Sequence, residues 1–283
     1  MDIYQAITDR IIQQLEQGTI PWHKPWVASG EAVSHTTGKR YSLLNQILLG
    51  RPGEYVTFKQ CQQEGGKVKK GEKASMVVFW RWIEQEDEDT KEKKKIPLLR
   101  YYSVFHIDQC EGLSPKYTKG KPCVVSPQEE AEKVIGGYVS RSGIKYRHEE
   151  GDRAYYTPSL DTVVLPLVEQ FESVAEYYST AFHELTHSTG HASRLNRLAK
   201  VACFGSEEYS KEELVAEIGA ATLLSKTGFE TKDSFKNSVA YIQNWLKALQ
   251  NDKRLIVSAA GKAEKAVKLI AGEEDEEIEY KEG

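Results

Sequence analysis

Residues 181–191 of the 283-residue chain read AFHELTHSTGH, and within them His183, Glu184 and His187 form the pattern H-E-x-x-H. On a helix, side chains four residues apart leave the same face one turn apart, so the two imidazoles can approach one cation together. Zinc takes imidazole nitrogen at about 2.0–2.1 Å and is commonly four-coordinate, which leaves room for a third protein ligand and a water. The carboxylate of Glu184, beside the first histidine, can take the proton of a water that such a cation has made acidic, readying it to attack a peptide carbonyl. Two exposed histidines on an ordinary helix could give the same letters. However, three of the seven histidines, His183, His187 and His191, fall within nine residues. The pattern points to a zinc hydrolase, on condition that a third ligand follows downstream.

The longer motif H-E-x-x-H-x-x-G-x-x-H is matched as far as Gly190, but position 193 is a serine and His191 comes two residues early. With the helix expected to end at Gly190, His191 reads as a side chain behind a ligand, facing substrate or merely near the site rather than as a ligand. Glu213 and Glu217 lie four apart on one face of the next helical stretch. One can complete a His2Glu set while the other accepts a hydrogen bond from a ligating imidazole. Glu213 could instead be the capping-box partner of Ser210, and Glu217 a solvated surface residue. Ala216, Gly219, Ala220 and Ala221 make a small-residue surface that favours close approach of another helix, and hence acids near the histidines. Histidine with carboxylate suits zinc, and also manganese or cobalt.

Several elements must position these groups. Capping patterns at Ser126-Pro127-Gln-Glu129 and Ser173-Val-Ala-Glu176 start a helix running to about Ser140 and the helix carrying the motif. A third helix begins at Ser210 and ends at Gly228, and two more cover about 233–250 and 252–271. Residues 144–165 alternate as strands with a turn at Glu150-Gly-Asp152, and Pro158 and Pro166 suggest a sheet-edge strand there, able to bind a peptide by strand addition.

The first half has a different character. Residues 1–125 hold 19 Lys and Arg against 15 Asp and Glu, while residues 126–283 hold 19 against 27, so the first half is the candidate for an anionic partner. Ile3, Ile7, Ile11 and Leu15 predict an amphipathic helix over 2–17, with none of the features of a signal peptide. The next residues, 19–26, hold Trp22, Lys24 and Trp26 in an aromatic, basic loop. Its tryptophans either cap the small domain's core or stack on nucleobases. A helix over Ser42–Leu49 is followed by a short strand leading into another helix over Val56–Gln63, and then by a basic turn with Lys69, Lys70 and Lys73 available for phosphates. MVVFWRWI, residues 76–83, and LLRYYSVFHI, residues 98–107, read as paired antiparallel strands joined by a charged tip. Alternation puts Trp80 and Trp82 on one face and Arg81 on the other. With a single face assigned to the core, an aromatic face flanked by lysine loops suits single-stranded nucleic acid.

The composition therefore predicts an α+β protein of two domains. Residues 1–111 form a small α+β domain with an antiparallel sheet, 112–125 a linker, 126–271 the metal-binding domain, and 272–283 an acidic, disordered tail. The four cysteines, Cys61, Cys110, Cys123 and Cys203, form no C-x-x-C pair, which fits a reducing cytoplasm, and no apolar run is long enough for a membrane span.

YYTPSLDTVVLP, FESVAEYYSTAFHELTHSTGHASRLNR and FGSEEYSKEELVAEIGAATLL resemble the metallopeptidase domain of the ArdC-type antirestriction proteins of conjugative plasmids. IPWHKPW, GKRYSLLNQILL, KVKKGEKA and the paired strands resemble that family's amino-terminal single-stranded-DNA-binding domain. The resemblance implies a zincin-like fold with His183 and His187 as ligands, Glu184 as general base, Glu213 as third ligand, Glu217 supporting a histidine, and Tyr209 as a candidate oxyanion stabiliser. It implies a cytoplasmic protein that coats single-stranded DNA, shields incoming plasmid or phage DNA from host restriction, and cleaves an unknown protein or peptide. One alternative is a metalloprotease recruited to DNA that degrades DNA-bound proteins, and another is a binding module whose zinc is only structural.

Overall fold

The computed structural model describes residues 2–23, 30–86, 93–117, 126–198, 207–229 and 238–274, with the backbone alone for residues 81–86, 93–97, 207 and 238–241. Lys24, Trp26 and the acidic end beyond residue 274 lie outside the described residues. The fold is α+β, and the chain divides into two packed units, Met1–Gln14 with Ser29–Lys121 and Leu15–Ala28 with Pro122–Gly283. A boundary near Lys121 falls in the expected linker. Assigning Leu15–Ala28 to the second unit departs from the expected domain of 1–111.

In the first unit, helix α1 (Ile3–Glu16) buries Ile7 and Ile11 at helical spacing. A four-stranded sheet in the order β1-β2-β5-β4 is built from β1 (Ala32–Ser34), β2 (Gly53–Thr57), β4 (Ser75–Glu86) and β5 (Lys93–His106), crossed by helices α2 (Leu43–Leu49) and α3 (Phe58–Gln63). The basic turn is tied down by strand β3 (Lys67–Val68) pairing with β6 (Cys110–Glu111). Strand β4 lies at the sheet edge, where unpaired backbone groups invite association. Its outer edge is satisfied at Val78: Asn45 Nδ2 donates to the Val78 carbonyl at 2.8 Å, and the Val78 N–H donates to Asn45 Oδ1 at 2.7 Å.

The long pair β4–β5 runs from Ser75 opposite Val104 to Glu86 opposite Lys93. Val77 and Val78, neighbours that point to opposite faces, are 0% and 3% exposed, so both faces of β4 are covered at this point. The expectation that only one face is core fails there. On the partner strand Tyr101, opposite Val78, is 49% exposed and Tyr102, opposite Val77, 41%, and Trp80, two residues farther along β4, is 49% exposed. A buried carboxylate anchors the end of this unit: Glu54 Oε2 is 2.5 Å from His35 Nδ1, and Oε1 accepts from the backbone N–H groups of Lys116 and Tyr117 at 2.7 and 2.6 Å.

Among its described residues the second unit holds a three-stranded sheet in the order β7-β9-β8 and five α-helices. Strands β7 (Lys145–Glu149) and β9 (Thr162–Pro166) are parallel, and β8 (Tyr155–Thr157) is antiparallel to β9. β9 is thus the central strand and is buried along its whole length. The proline argument for an edge strand holds only for β8, which is followed by Pro158, whereas Pro166 takes the last position of the central strand. Helices α4 (Pro127–Ser142), α5 (Val174–Ser188), α6 (Glu207–Lys226), α7 (Ser238–Asn251) and α8 (Leu255–Ala271) complete the unit. Its core joins Ile135, Tyr138, Leu165, Tyr178, Phe182, Leu185, Leu223 and Leu224. The side chain of Ser126 caps α4, and that of Ser173 caps α5 by accepting from the N–H of Glu176 at 3.2 Å.

Candidate metal centre

Helix α5 carries the histidines because its opposite face is apolar: Ala181, Phe182 and Leu185 are fully buried, which turns His183 and His187 toward α6. The helices approach closely where Gly219 meets Thr186, since a Cβ at 219 would lie 2.7 Å from Thr186 Cγ2. That approach brings the α6 acids to the imidazoles. His183 Nε2 and His187 Nε2 are 3.1 Å apart, and they lie 3.4 Å from Glu213 Oε2 and 3.4 Å from Glu213 Oε1 respectively. Around a tetrahedral ion with ligands at about 2.0–2.1 Å, donor atoms stand ~3.3 Å apart, so these three donors fit such an ion. Among the described residues this is the one group of histidine, cysteine and acidic side chains so arranged.

Each imidazole has a carboxylate behind it. Glu217 Oε1 is 3.8 Å from His183 Nδ1, and Glu212 Oε1 is 3.6 Å from His187 Nδ1. Carboxylates there orient a ligating imidazole and make it a better donor to the metal. Glu212 is itself gripped by Arg197, through Nε at 3.1 Å and Nη2 at 2.8 Å. The same guanidinium donates to Thr189 Oγ1 and the Thr186 carbonyl, tying the end of α5 to α6.

Burial opposes charge on both imidazoles, yet Glu213 raises the pKa of His183, and Glu212 with Glu213 raises that of His187 to about 10. The carboxyls of Glu212 and Glu213 are lowered, because contact with the histidines, and with Arg197 for Glu212, outweighs their burial. Glu184, largely buried beside the pair, adds negative charge felt by both histidines. Glu184, Glu212, Glu213 and Glu217 thus surround two imidazoles, a surplus of negative charge that a divalent cation would neutralise while displacing protons.

The expected residues fall out unevenly. His183, His187 and Glu213 lie together, with Glu217 on the far side of His183. His191 does not take a place behind a ligand: its Nδ1 is 2.8 Å from Ser193 Oγ in its own turn, and the supporting positions belong to Glu217 and Glu212. α5 stops at Thr189, and Gly190 is needed for space rather than for a left-handed backbone, because a Cβ there would sit 2.8 Å from Leu198 Cγ. Tyr209 lies inside α6, four residues before Glu213 on the same face, and not ahead of the helix. Glu212 and Arg197 escaped the sequence reading. The adjacent pair Glu212-Glu213 was the available signal, since neighbours on a helix point about 100° apart and two histidines need two kinds of support.

On the nucleic-acid side, Trp22 is a correction. It is 3% exposed, with its ring 5.2 Å from that of Trp245, so it belongs to the core of the second unit and offers no face to a base. Trp80 is accessible, while Arg81 and Trp82 lie in β4 with side chains outside those described. Lys69, Lys70 and Lys73 are exposed, and Lys69 Nζ donates to the Asp108 carbonyl.

A histidine pair on one helix answered by a carboxylate from the next defines the second unit as a zincin-like metallopeptidase domain, and residues 130–262 match the family described in those words. Residues 1–105 match the N-terminal domain of the anti-restriction factor ArdC. The fold is similar to crystal structures of the antirestriction protein ArdC from plasmid R388. The metal-free form has a TM-score of 0.78 at 38% identity over 97% of this chain and 100% of that one. The Mn(II)-bound form has 0.77 at 37% identity over 96% and 98%. The chain belongs to the ArdC antirestriction family. It is also 37% identical to the DNA primase TraC of Escherichia coli over 98% of its own length but only 28% of TraC, so it spans about a quarter of that relative. The protein y4eC of Sinorhizobium fredii is 30% identical over 93% of this chain and 89% of y4eC.

Proposed function

We propose that this chain binds single-stranded DNA and protects incoming plasmid or phage DNA from host restriction in the cytoplasm, and that it carries a zinc-dependent peptidase domain. The observation that carries the proposal is its likeness, at 38% identity, to the whole length of an antirestriction protein. His183, His187 and Glu213 would hold the cation, zinc by preference with manganese or cobalt as substitutes. When bound, the cation would supply an acidified water and a polarised carbonyl. Glu184 would take the water's proton and return it to the leaving amine, and Tyr209 would hydrogen-bond the oxyanion. Trp80 and Trp82 would stack on bases, and Lys69, Lys70, Lys73 and Arg81, with Lys24 and Trp26, would meet the strand.

The convergent site beside Glu184 favours a second reading, a protease recruited to DNA that degrades bound proteins. Glu184→Ala separates the two. It is expected to keep stoichiometric metal, melting temperature and strand affinity, to abolish cleavage of an unfolded protein substrate, and to leave protection of transferred DNA unchanged. Loss of protection with strand affinity intact would replace the first reading by the second. Absence of bound metal in the wild type would remove the site itself.

A further inference from the structure

A third imidazole stands behind Glu217. His23 ends the short 3-10 turn Pro21–His23, and its Nε2 is 3.9 Å from Glu217 Oε2, while the other oxygen of that carboxylate is 3.8 Å from His183 Nδ1. One carboxylate therefore stands between an imidazole aimed at the cation and an imidazole from a remote part of the chain, within ion-pair distance of both and beyond hydrogen-bond distance of either. All three are largely withdrawn from water, with side-chain exposures of 10% for His23, 13% for Glu217 and 20% for His183. Trp22 fixes the turn, its ring meeting Trp245 edge-on at 70° and His23 at 86°.

We infer that His23 is a positioning residue of the metal site. It holds Glu217 in the orientation that receives the Nδ1–H of His183, and cation binding in turn tightens the turn Pro21–His23 against α6. The inference rests on reading His183, His187 and Glu213 as cation ligands. An imidazole that ligates through Nε2 becomes a stronger donor at Nδ1, so it draws and fixes the carboxylate that faces it. A carboxylate with an imidazole facing each oxygen is confined from both sides, and removing His23 opens one of them. Coupling between binding events is reciprocal: the factor by which the docked turn favours the cation equals the factor by which the cation favours docking.

The test measures Zn2+ and Mn2+ affinity of the full chain by competition with a chromophoric chelator, for the wild type, His23→Ala, His23→Gln, Glu217→Ala and the double variant His23→Ala/Glu217→Ala. Groups touching a ligand imidazole commonly change metal affinity about 10–100-fold, so His23→Ala, one contact farther out, is expected to weaken binding roughly three- to tenfold. His23→Gln, whose amide can still donate to Glu217, should recover part of the loss, and the double variant should lose no more than Glu217→Ala alone. Added cation should slow hydrogen exchange at the Trp22 and His23 amides in the wild type and not in His23→Ala. Should His23→Ala fail to fold, His23→Gln set against Glu217→Ala carries the same comparison. Equal affinity in wild type and His23 variants, or additive losses in the double variant, overturns the inference while leaving the metal site standing. A wild type that takes up neither cation overturns both.

Discussion

Asp161 shows how a single residue outside the site can hold the site's frame. Its backbone is left-handed, with φ +45°, at the turn before β9, and its carboxylate takes two hydrogen bonds from Arg194, whose Nε also donates to the Ser188 carbonyl at the end of the histidine helix. The Arg194 guanidinium, aided by Tyr156 and opposed by burial, holds the Asp161 carboxyl below its usual 3.8. A depressed carboxyl stabilises the fold above its unfolded value and loses that contribution as pH falls through the folded one. Asp161→Asn is expected to cost about 1–3 kcal/mol at pH 7, with the gap from wild type narrowing below about pH 4. Equal gaps at pH 7 and pH 2 in urea titrations would contradict this. At this scale His183, Glu184 and His187 were legible because their relation is local, set by one helical turn. Which of Glu212, Glu213 and Glu217 meets which imidazole depends on the rotation of α6 against α5. His23 depends on a fold-back that no periodicity records.

Among the elements, the β4–β5 pair was read well, because two long apolar runs flanking a charged stretch leave little else for the chain to do. The start of α6 was read three residues late. Ser210 looks like a cap, but Glu207 and Glu208 supply the acidic first turn that favours a helix N-terminus. Asn45 escaped notice because α2 meets the outer edge of the sheet, a contact that neither alternation nor composition encodes. Among the described side chains of the pair, the accessible aromatics are Trp80 and Tyr101 on one face and Tyr102 on the other. Trp80→Ala and Tyr101→Ala are each expected to weaken single-strand binding, since a stacked base is worth ~1–3 kcal/mol. Affinity should also fall linearly in log–log salt titrations. Unchanged affinity in both variants, or no response to salt, would shift DNA binding away from this hairpin.

At the level of the whole molecule, the chain passes from one unit to the other three times, after residues 14, 28 and 121. A scheme that cuts once near residue 125, natural from the sequence because the Gly- and Pro-rich stretch lies there, would strip Trp22 and His23 from the unit in which they are buried. Cleavage between Lys121 and Pro122 is therefore expected to leave the two fragments co-eluting in gel filtration. Trp22→Ala, losing an aromatic core contact worth about 3–5 kcal/mol, should release them. Fragments that separate without that substitution would show that the turn contributes little.

This threading also bears on inheritance. A recombination event that moved either half alone would orphan Trp22 and leave Trp245 facing a void, whereas moving both halves preserves the fit. The alignment with TraC, which takes in 98% of this chain inside a far longer primase, keeps Trp22 and Trp245 within one continuous segment.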